Sequence, residues 1–209
     1  MKKILYILVT LVLSSVSVFA QTPEEIIAQM DQVMEKHEAK DGFAMVMEMK
    51  IPILGTFASA VKSWGDKMRM EMDVKGEQMI TYIDGDTEWD YNVKEKVIKI
   101  KKRDVTKKSK EEENMKMFQS ATEGYDVSIS KETDKAWFLR CKKNRSNTNK
   151  DDPKNMDLVI AKGTYMPISL SAKVSGITIT MRDLDFNVTE KDVTFNQADY
   201  PGVKVVDER

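Results

Sequence analysis

The stretch that decides the fold is KMRMEMDV, residues 67–74. Its odd-numbered positions are all charged, whereas its even-numbered positions are Met68, Met70, Met72 and Val74. This alternation with a period of two predicts a β-strand with one apolar face and one solvated face. Strands usually prefer stiff β-branched or aromatic side chains, so a row of flexible methionines on the apolar face is unusual.

The sequence on both sides of this strand repeats the pattern. GFAMVMEMK (42–50) alternates in the same way, and short turns at Gly76 and at Asp84-Gly85 lead into further strand-like segments. Successive strands joined by short turns predict an antiparallel meander. We expect about a dozen strands and a few helices in a single domain, residues 21–209, without an internal repeat.

The first twenty residues have the features of a secretory signal peptide. Lys2 and Lys3 precede an apolar run that ends in Val18-Phe19-Ala20, which predicts cleavage after Ala20 and an exported protein. An uncleaved membrane anchor is the alternative, and the Ser-rich second half of the segment disfavours it. Gln21 follows the expected cleavage point where a lipoprotein would have cysteine, so we expect no lipid anchor.

A single amphipathic helix is predicted over residues 22–38. Thr22, Pro23 and Glu25 form the pattern of an N-terminal capping box with proline in the first turn. An apolar stripe follows along one side of the helix and includes Ile26, Met30 and Val33. Such a helix needs an apolar surface to pack on.

Little in the sequence indicates catalysis. His37 and Cys141 are the only histidine and the only cysteine, so we expect no metal site of the zinc type, no cofactor and no enzymatic activity. Cys141 alternates with Trp137 and Leu139, which predicts a buried thiol. The polar stretch 142–155 is predicted to be an exposed and mobile loop, with a role in docking as the alternative.

The charge balance indicates neither of two classes of partner. The chain carries 33 Lys and Arg against 34 Asp and Glu, a net charge of −1, which favours neither a nucleic acid nor an anionic membrane surface as the main partner.

The remaining signal is the abundance of methionine. Seven of the 15 methionines fall in three segments that we predict to be neighbouring strands, and we expect the aromatic and aliphatic residues of the next two strands to continue the same apolar face. These side chains either fill an ordinary core or form an adaptable surface for flexible apolar ligands, because methionine repacks easily. The predicted lipid-binding residues are Phe43, Met45, Met47, Met68, Met70, Met72, Trp89, Tyr91, Ile98 and Ile100.

A resemblance to a known family makes the second interpretation specific. MITYIDGDTEWDYNVKEKVIKI (79–100) resembles the central hairpin of the periplasmic outer-membrane lipoprotein carrier (LolA-like) family, with its Asp-Gly turn and Trp-x-Tyr strand. DKMRMEMD (66–73) is similar to the strand that precedes this hairpin in the family. The C-terminal region is also similar in the order of Asn187, Phe195 and Pro201-Gly202-Val203.

The resemblance implies an incomplete antiparallel β-barrel of about eleven strands, with lid helices over an apolar cavity. It implies a monomeric periplasmic carrier that takes acylated lipoproteins from an inner-membrane ABC transporter towards the outer membrane, where an acceptor protein is a further candidate partner. Contact with the membrane would be transient. On this basis the predicted lid residues are Ile26, Met30, Val33, Met115 and Phe118, the last two in a second short helix.

The chain departs from the family at one position. The better-known members close the lid with an arginine before the third strand, where this chain has Ser63-Trp64-Gly65-Asp66. Arg69 is near but belongs to the charged face of its strand. Two alternative functions on the same scaffold therefore stay open: a periplasmic sensor or adaptor, and a binder of other lipids or small apolar ligands.

Overall fold

In the computed structural model, the described part of the chain comprises residues 21–37, 42–74, 76–104, 122–150 and 152–209. Its helices are α1 (Pro23–Glu35), α2 (Glu190–Val193) and a 3₁₀ turn (Gln197–Asp199). Its strands are β1 (Phe43–Ile51), β2 (Gly55–Trp64), β3 (Lys67–Val74), β4 (Glu77–Asp84), β5 (Thr87–Asn92), β6 (Val97–Lys102), β7 (Tyr125–Glu132), β8 (Ala136–Lys143), β9 (Asn155–Ala161), β10 (Pro167–Val174), β11 (Ile177–Asp185) and β12 (Lys204–Asp207).

All twelve strands belong to one sheet. Their order is β12-β6-β5-β4-β3-β2-β1-β11-β10-β9-β8-β7, so the sheet is open, with β12 and β7 at its edges. The predicted fold class, a mainly β protein built on an incomplete barrel, is confirmed, with twelve strands instead of eleven. The methionine-rich segment 67–74 forms β3, as its alternation predicted.

Two meanders make up this sheet, and a single strand pair joins them. Strands β1–β6 form one meander and β7–β11 the other, and β1 pairs with β11 to connect them. An ion pair crosses the joint, where Arg182 lies 3.1 Å from Glu48 although the two residues are 134 positions apart.

The last strand departs from the antiparallel pattern. β12 pairs with β6 in parallel, with Val205 opposite Ile98. The two strands of this pair are far apart in sequence. The chain leaves β11 at Asp185 and passes through α2 and the 3₁₀ turn before β12 reaches the edge formed by β6.

Helix α1 begins as the sequence predicted. The Thr22 hydroxyl accepts a hydrogen bond from the backbone of Glu25, and the Glu25 carboxylate accepts one from the backbone of Thr22, which completes the capping box. Glu35 is its last helical residue, a little before the expected end at residue 38. No helix within the described ranges is both long and apolar enough to cross a bilayer.

The main core lies between α1 and one face of the sheet. Ile26, Met30 and Met34 of α1 are almost completely buried there, as are Leu158 and Met181 of the sheet. Cys141 is also fully buried in this cluster, as expected. Helix α1 therefore covers part of one apolar face of the sheet.

Two sets of predictions fall outside the described residues. The predicted signal peptide occupies 1–20, and the predicted second lid helix with Met115 and Phe118 falls within 105–121. Both therefore remain predictions from sequence.

Gly42 supplies the first test of this architecture. Its φ is +67°, and a Cβ there would lie 2.6 Å from the Val188 carbonyl oxygen and 2.9 Å from Cδ1 of Trp64. We expect Gly42→Ala to lower the free energy of unfolding by about 3 kcal/mol, because backbone strain and a steric clash add. Urea denaturation measures the loss.

Gly65→Ala is the matched control. Gly65 has a φ of +61°, but no atom lies within 4 Å of the position that an added Cβ would take. Gly65→Ala should lower the free energy of unfolding by only about 1–2 kcal/mol, which is the cost of the left-handed backbone conformation for alanine. Equal losses of unfolding free energy in the two variants would contradict the steric clash inferred at Gly42.

Candidate functional site

The sheet face beneath α1 carries the methionines of the first four strands. We call it the methionine face, defined by Met45, Met47, Met49, Met68, Met70, Met72 and Met79. The strand register fixes this grouping because directly paired residues project to the same side of a sheet. Met45 and Met70 both flank Val61, and Met72 lies between Ser59 and Met79.

Helix α1 buries only part of the methionine face. Phe43, Met45 and Met68 are less than 10% exposed and belong to the cluster beneath Ile26 and Met30. Ile26 and Met30 of α1 therefore share one buried cluster with these strand residues. Val33, the third predicted lid residue of α1, is half-buried and lies outside the cluster.

The rest of the methionine face is half-exposed among the described residues. Met47 and Met70 pack against the edge of the buried cluster. Beyond them lie further half-exposed apolar residues of β1–β4 and β11: Met49, Phe57, Met72, Met79 and Ile179. We call this region the open patch, defined by Met47, Met49, Phe57, Met70, Met72, Met79 and Ile179. It is an apolar surface that α1 does not cover.

Four predicted site residues lie on the opposite side of the sheet. Trp89 is paired with Tyr82 and Ile100, and Tyr91 is paired with Ile80 and Ile98. This row continues from Tyr82 to Arg69, which is on the charged side of β3. The expectation that Trp89, Tyr91, Ile98 and Ile100 continue the methionine face is wrong.

The reason lies in the turn between β4 and β5. Asp84 pairs with Thr87, so only Gly85 and Asp86 form the turn, and Ile83 faces Glu88 instead of Trp89. Counting through the two-residue turn would have given this register from the sequence. The apolar side of the sheet therefore changes faces between β4 and β5.

The C-terminal segment covers this second apolar surface. We call it the aromatic face, defined by Ile80, Tyr82, Trp89, Tyr91, Ile98 and Ile100. Phe195 stacks on Trp89 at a centroid distance of 5.2 Å, and Tyr200 meets Tyr91 edge-on at 4.9 Å. Tyr200 also shares a 2.8 Å hydrogen bond with the Tyr82 hydroxyl. Ile98 is fully buried. The role of the C-terminal segment as a cover was missed from the sequence.

Arg69 does not reach the methionine face. Its guanidinium lies 2.8 Å from the Glu71 carboxylate and 5.6 Å from the centroid of the Tyr82 ring. Its Nε atom is buried and has no hydrogen-bond partner among the described residues. Arg69 is thus on the same side of the sheet as the aromatic face, away from the methionine face.

Beyond β4 the side of the sheet that carries the methionines becomes ionic. Asp90 faces Thr81 there, and its carboxylate lies 2.5 Å from Nζ of Lys101. Partial burial, and then the neighbouring Asp90, raise the pKa of Glu88 above the usual carboxyl range. The apolar surface therefore ends at β4, and an apolar ligand would find a charged boundary there.

The end of α1 is held by an aromatic contact. The His37 imidazole stacks on the Phe186 ring at 4.0 Å, with the two planes nearly parallel. Within α1 itself, Asp31 is half-buried. Burial, followed by the nearby Glu35 carboxylate, raises the pKa of Asp31. The packing of α1 on the sheet therefore disfavours the ionised form of the Asp31 carboxylate.

The reactive groups of the described residues are poorly placed for chemistry. Burial raises the pKa of the Cys141 thiol to about 11, so little nucleophilic thiolate is present at neutral pH. No group of three or more His, Cys, Asp or Glu residues suitable for a metal ion occurs within the described ranges.

The loop between β8 and β9 is organised by its own polar side chains. The Asp152 carboxylate accepts hydrogen bonds from the side-chain amides of Asn147 at 2.8 Å and Asn149 at 2.7 Å. The loop borders a cleft of about 550 Å³ next to Gly124 and Tyr125. It is an ordered surface feature apart from the methionine face.

Comparison with known proteins gives only structural similarities. No family model matches the sequence, and no curated protein does. Among solved structures, the Mycobacterium tuberculosis lipoprotein LppX aligns over 77% of this chain and 94% of its own, with 10% identity and a TM-score of 0.48. An uncharacterized conserved protein from Thermus thermophilus covers 90% and 100%, with 14% identity and a TM-score of 0.43. A LolA superfamily protein from Nitrosomonas europaea covers 86% and 100%, with 11% identity and a TM-score of 0.34.

The change of apolar side between β4 and β5 predicts different roles for two phenylalanines. Phe195→Ala should lower the free energy of unfolding by about 3–4 kcal/mol, because Phe195 packs between Trp89 and Tyr200. Phe57→Ala, in the open patch, should cost less than half as much. Urea denaturation of both variants tests the assignment, and a larger loss for Phe57→Ala would contradict it.

Proposed function

We propose that the protein binds the acyl chains of lipids or lipoproteins on the methionine face and carries them through the periplasm. The open patch is the single observation that supports this most strongly. It is a half-exposed apolar surface that continues directly into the buried contact with α1. Extended apolar patches of this kind on a protein surface usually mark a binding site.

Methionine suits such a site. Its unbranched, polarizable side chain adopts many rotamers and repacks around ligands of different outlines. The seven methionines of the methionine face can therefore accommodate acyl chains of different length without a fixed pocket. A sheet that only needed a rigid core would be better served by the β-branched residues that strands prefer.

Helix α1 acts as the lid. Ile26, Met30 and Met34 occupy the surface that a ligand would otherwise cover, so a bound chain displaces at least part of the helix. Each methylene buried contributes roughly 0.8 kcal/mol, and a competing lid keeps the net affinity low enough for release. The stack of His37 on Phe186 holds the end of the helix where the family arginine is absent.

The cargo and route follow from the resemblance in sequence. The chain, processed after Ala20, receives acylated lipoproteins from an inner-membrane ABC transporter and delivers them towards the outer membrane, with an acceptor there as a further partner. It acts as a monomer without a cofactor. Met115 and Phe118 belong to a second part of the lid.

A substitution in the open patch tests ligand binding. Met72 is half-exposed and lies outside the buried cluster. Met72→Asp should fold with little loss of stability but bind a fluorescent acyl-chain probe at least tenfold more weakly, because the charge must be desolvated in the complex. Ser128→Asp is the matched control. Ser128 is exposed and paired with Arg140 on the other side of the sheet, so this variant should bind like the wild type.

Competition then identifies the class of cargo. A triacylated lipopeptide should displace the probe from the wild type, which supports the carrier. Displacement by small apolar molecules but not by the lipopeptide favours the small-ligand binder instead. Absence of saturable probe binding in the wild type would overturn the proposal and make the methionines an ordinary core.

Asp31 supplies a test of the lid. Because the folded state raises the pKa of Asp31, stability falls as pH rises from the unfolded-state pKa through the raised value. Asp31→Asn should therefore be more stable than the wild type at pH 7, and this advantage should disappear at pH 3, where the aspartate is protonated in both states. A firmly docked lid should also weaken probe binding at pH 7.

Glu24→Gln is the control on the same helix. Glu24 is exposed in the first turn, so its neutralisation should give no gain in stability. Stronger probe binding by Asp31→Asn than by the wild type would contradict the role of α1 as a competitor of the ligand.

A further inference from the structure

The most exposed apolar side chains of the described residues are at the tip of the β1–β2 hairpin. Ile53 is 105% exposed, as much as an isolated residue, and Leu54 is 61% exposed. The tip consists of Pro52, Ile53 and Leu54 between the two strands. Apolar side chains this exposed gain nothing from the fold in which they stand.

The backbone of the tip makes the choice of residue more unusual. Ile53 has a φ of +71°, which is the left-handed conformation that glycine and asparagine adopt easily and β-branched residues avoid. Pro52 precedes it, as in a type II turn, where the following position normally holds Gly or Asn. The sequence therefore keeps a strained and solvated isoleucine where a stable turn would use another residue.

Lysines lie directly behind the tip. Lys50 of β1 and Lys173 of β10 are both paired with Thr178 of β11, so the three form one row across the sheet. Neighbouring strands are about 4.8 Å apart, which places the two lysine backbones about 10 Å from each other. Both lysines are exposed, and neither forms an ion pair with a described residue.

The next loop extends this basic row. Lys150, Lys154 and Lys173 line one cleft of about 440 Å³, together with the backbone turn at Ser175-Gly176. Asp152 is the acidic residue of the same cleft, and it accepts hydrogen bonds from Asn147 and Asn149.

Two nearby charges neutralise each other. On the other side of the tip, Lys94 is paired with Glu77 at 2.7 Å. The lysines of the row and the cleft therefore leave a positive surface beside the apolar tip.

The tip is also continuous with the open patch. Ile51 is on the same side of β1 as Met49, and Met49 is paired with Phe57. An apolar path therefore runs from the hairpin tip onto the methionine face.

We propose that this end of the sheet docks onto the surface of a membrane that contains anionic phospholipids. Ile53 and Leu54 insert among the acyl chains at the interface, while Lys50, Lys154 and Lys173 contact lipid phosphates. Apolar residues flanked by lysines are the combination that a bilayer interface accommodates, and each lysine near the surface strengthens the attraction to anionic lipid. The docking itself does not depend on the proposed ligand, but it would bring the open patch near the bilayer from which acyl chains enter or leave, with only the tip and its lysines in contact with the membrane.

Vesicle flotation tests the proposal with the exported protein, after its N-terminus has been determined by mass spectrometry. The wild type should float with phosphatidylcholine vesicles that contain 30% phosphatidylglycerol, and less with pure phosphatidylcholine or at high salt. The double variant Ile53→Asn with Leu54→Asn should bind at least tenfold more weakly. Its melting temperature should be equal or higher, because asparagine tolerates the left-handed conformation.

Two matched controls test whether the location of the apolar and basic side chains matters, and not only their number. Ile168→Thr with Val205→Thr removes two other exposed apolar side chains and should leave flotation within twofold of the wild type. Lys50→Gln with Lys173→Gln should remove the preference for anionic vesicles. Lys135→Gln with Lys191→Gln, which are exposed lysines at the opposite end of the sheet, should not.

Wild-type flotation that is unchanged by the tip substitutions would overturn the proposal. Failure of the wild type to float would also overturn it. If the tip were then required for capture by a membrane protein, the tip would fit a pocket on that protein and not a lipid surface. Titration with the acyl-chain probe in the absence of vesicles separates this proposal from the proposed function. The tip variants should bind the probe normally, whereas Met72→Asp should float normally but fail to bind it.

Discussion

The two-residue turn after Asp84 is the constraint on which the rest of the structure depends. It pairs Asp84 with Thr87, and this register sends the methionines of β3 and the aromatic residues of β5 to opposite sides of one sheet. A slip of one residue would bring them together on a single face. Because the register is fixed, the chain has two separate apolar surfaces, and each needs its own cover.

The two covers differ in how firmly they are attached. The C-terminal segment packs on the aromatic face through stacked rings and the hydrogen bond between Tyr82 and Tyr200, and it is fastened at its far end by β12. Helix α1 uses flexible aliphatic side chains and carries a partly buried carboxylate, and among the described residues the open patch lies outside the cluster that α1 buries or at its edge. Rigid packing and a hydrogen bond suit a permanent cover, whereas adaptable packing suits a cover that a ligand can replace.

Much of this arrangement could be predicted from the sequence, because local patterns determine it. The alternation in 67–74 gave β3, and the capping box at Thr22 gave the start of α1. The predicted face of Trp89 is wrong because hydropathy alone does not determine the register across the turn between β4 and β5, which depends on the length of the turn. The parallel pairing of β12 and the packing of Phe195 on Trp89 depend on contacts between distant residues, for which the sequence carries no local signal.

The single joint between β1 and β11 has a consequence for the order in which the molecule assembles. Each meander contains only pairings between strands that are neighbours in sequence, so β1–β6 and β7–β11 can each form soon after their residues are available. The joint between the two meanders must then wait for the eleventh strand, as the 134 positions that separate Glu48 from Arg182 illustrate. Until that pairing closes, the buried cluster of α1 lacks the residues that one of the two meanders contributes, so the methionines are less well covered during this late step. A protein that folds in this order benefits from an apolar strand whose side chains are too mobile to form the rigid, interlocked contacts of an aggregate.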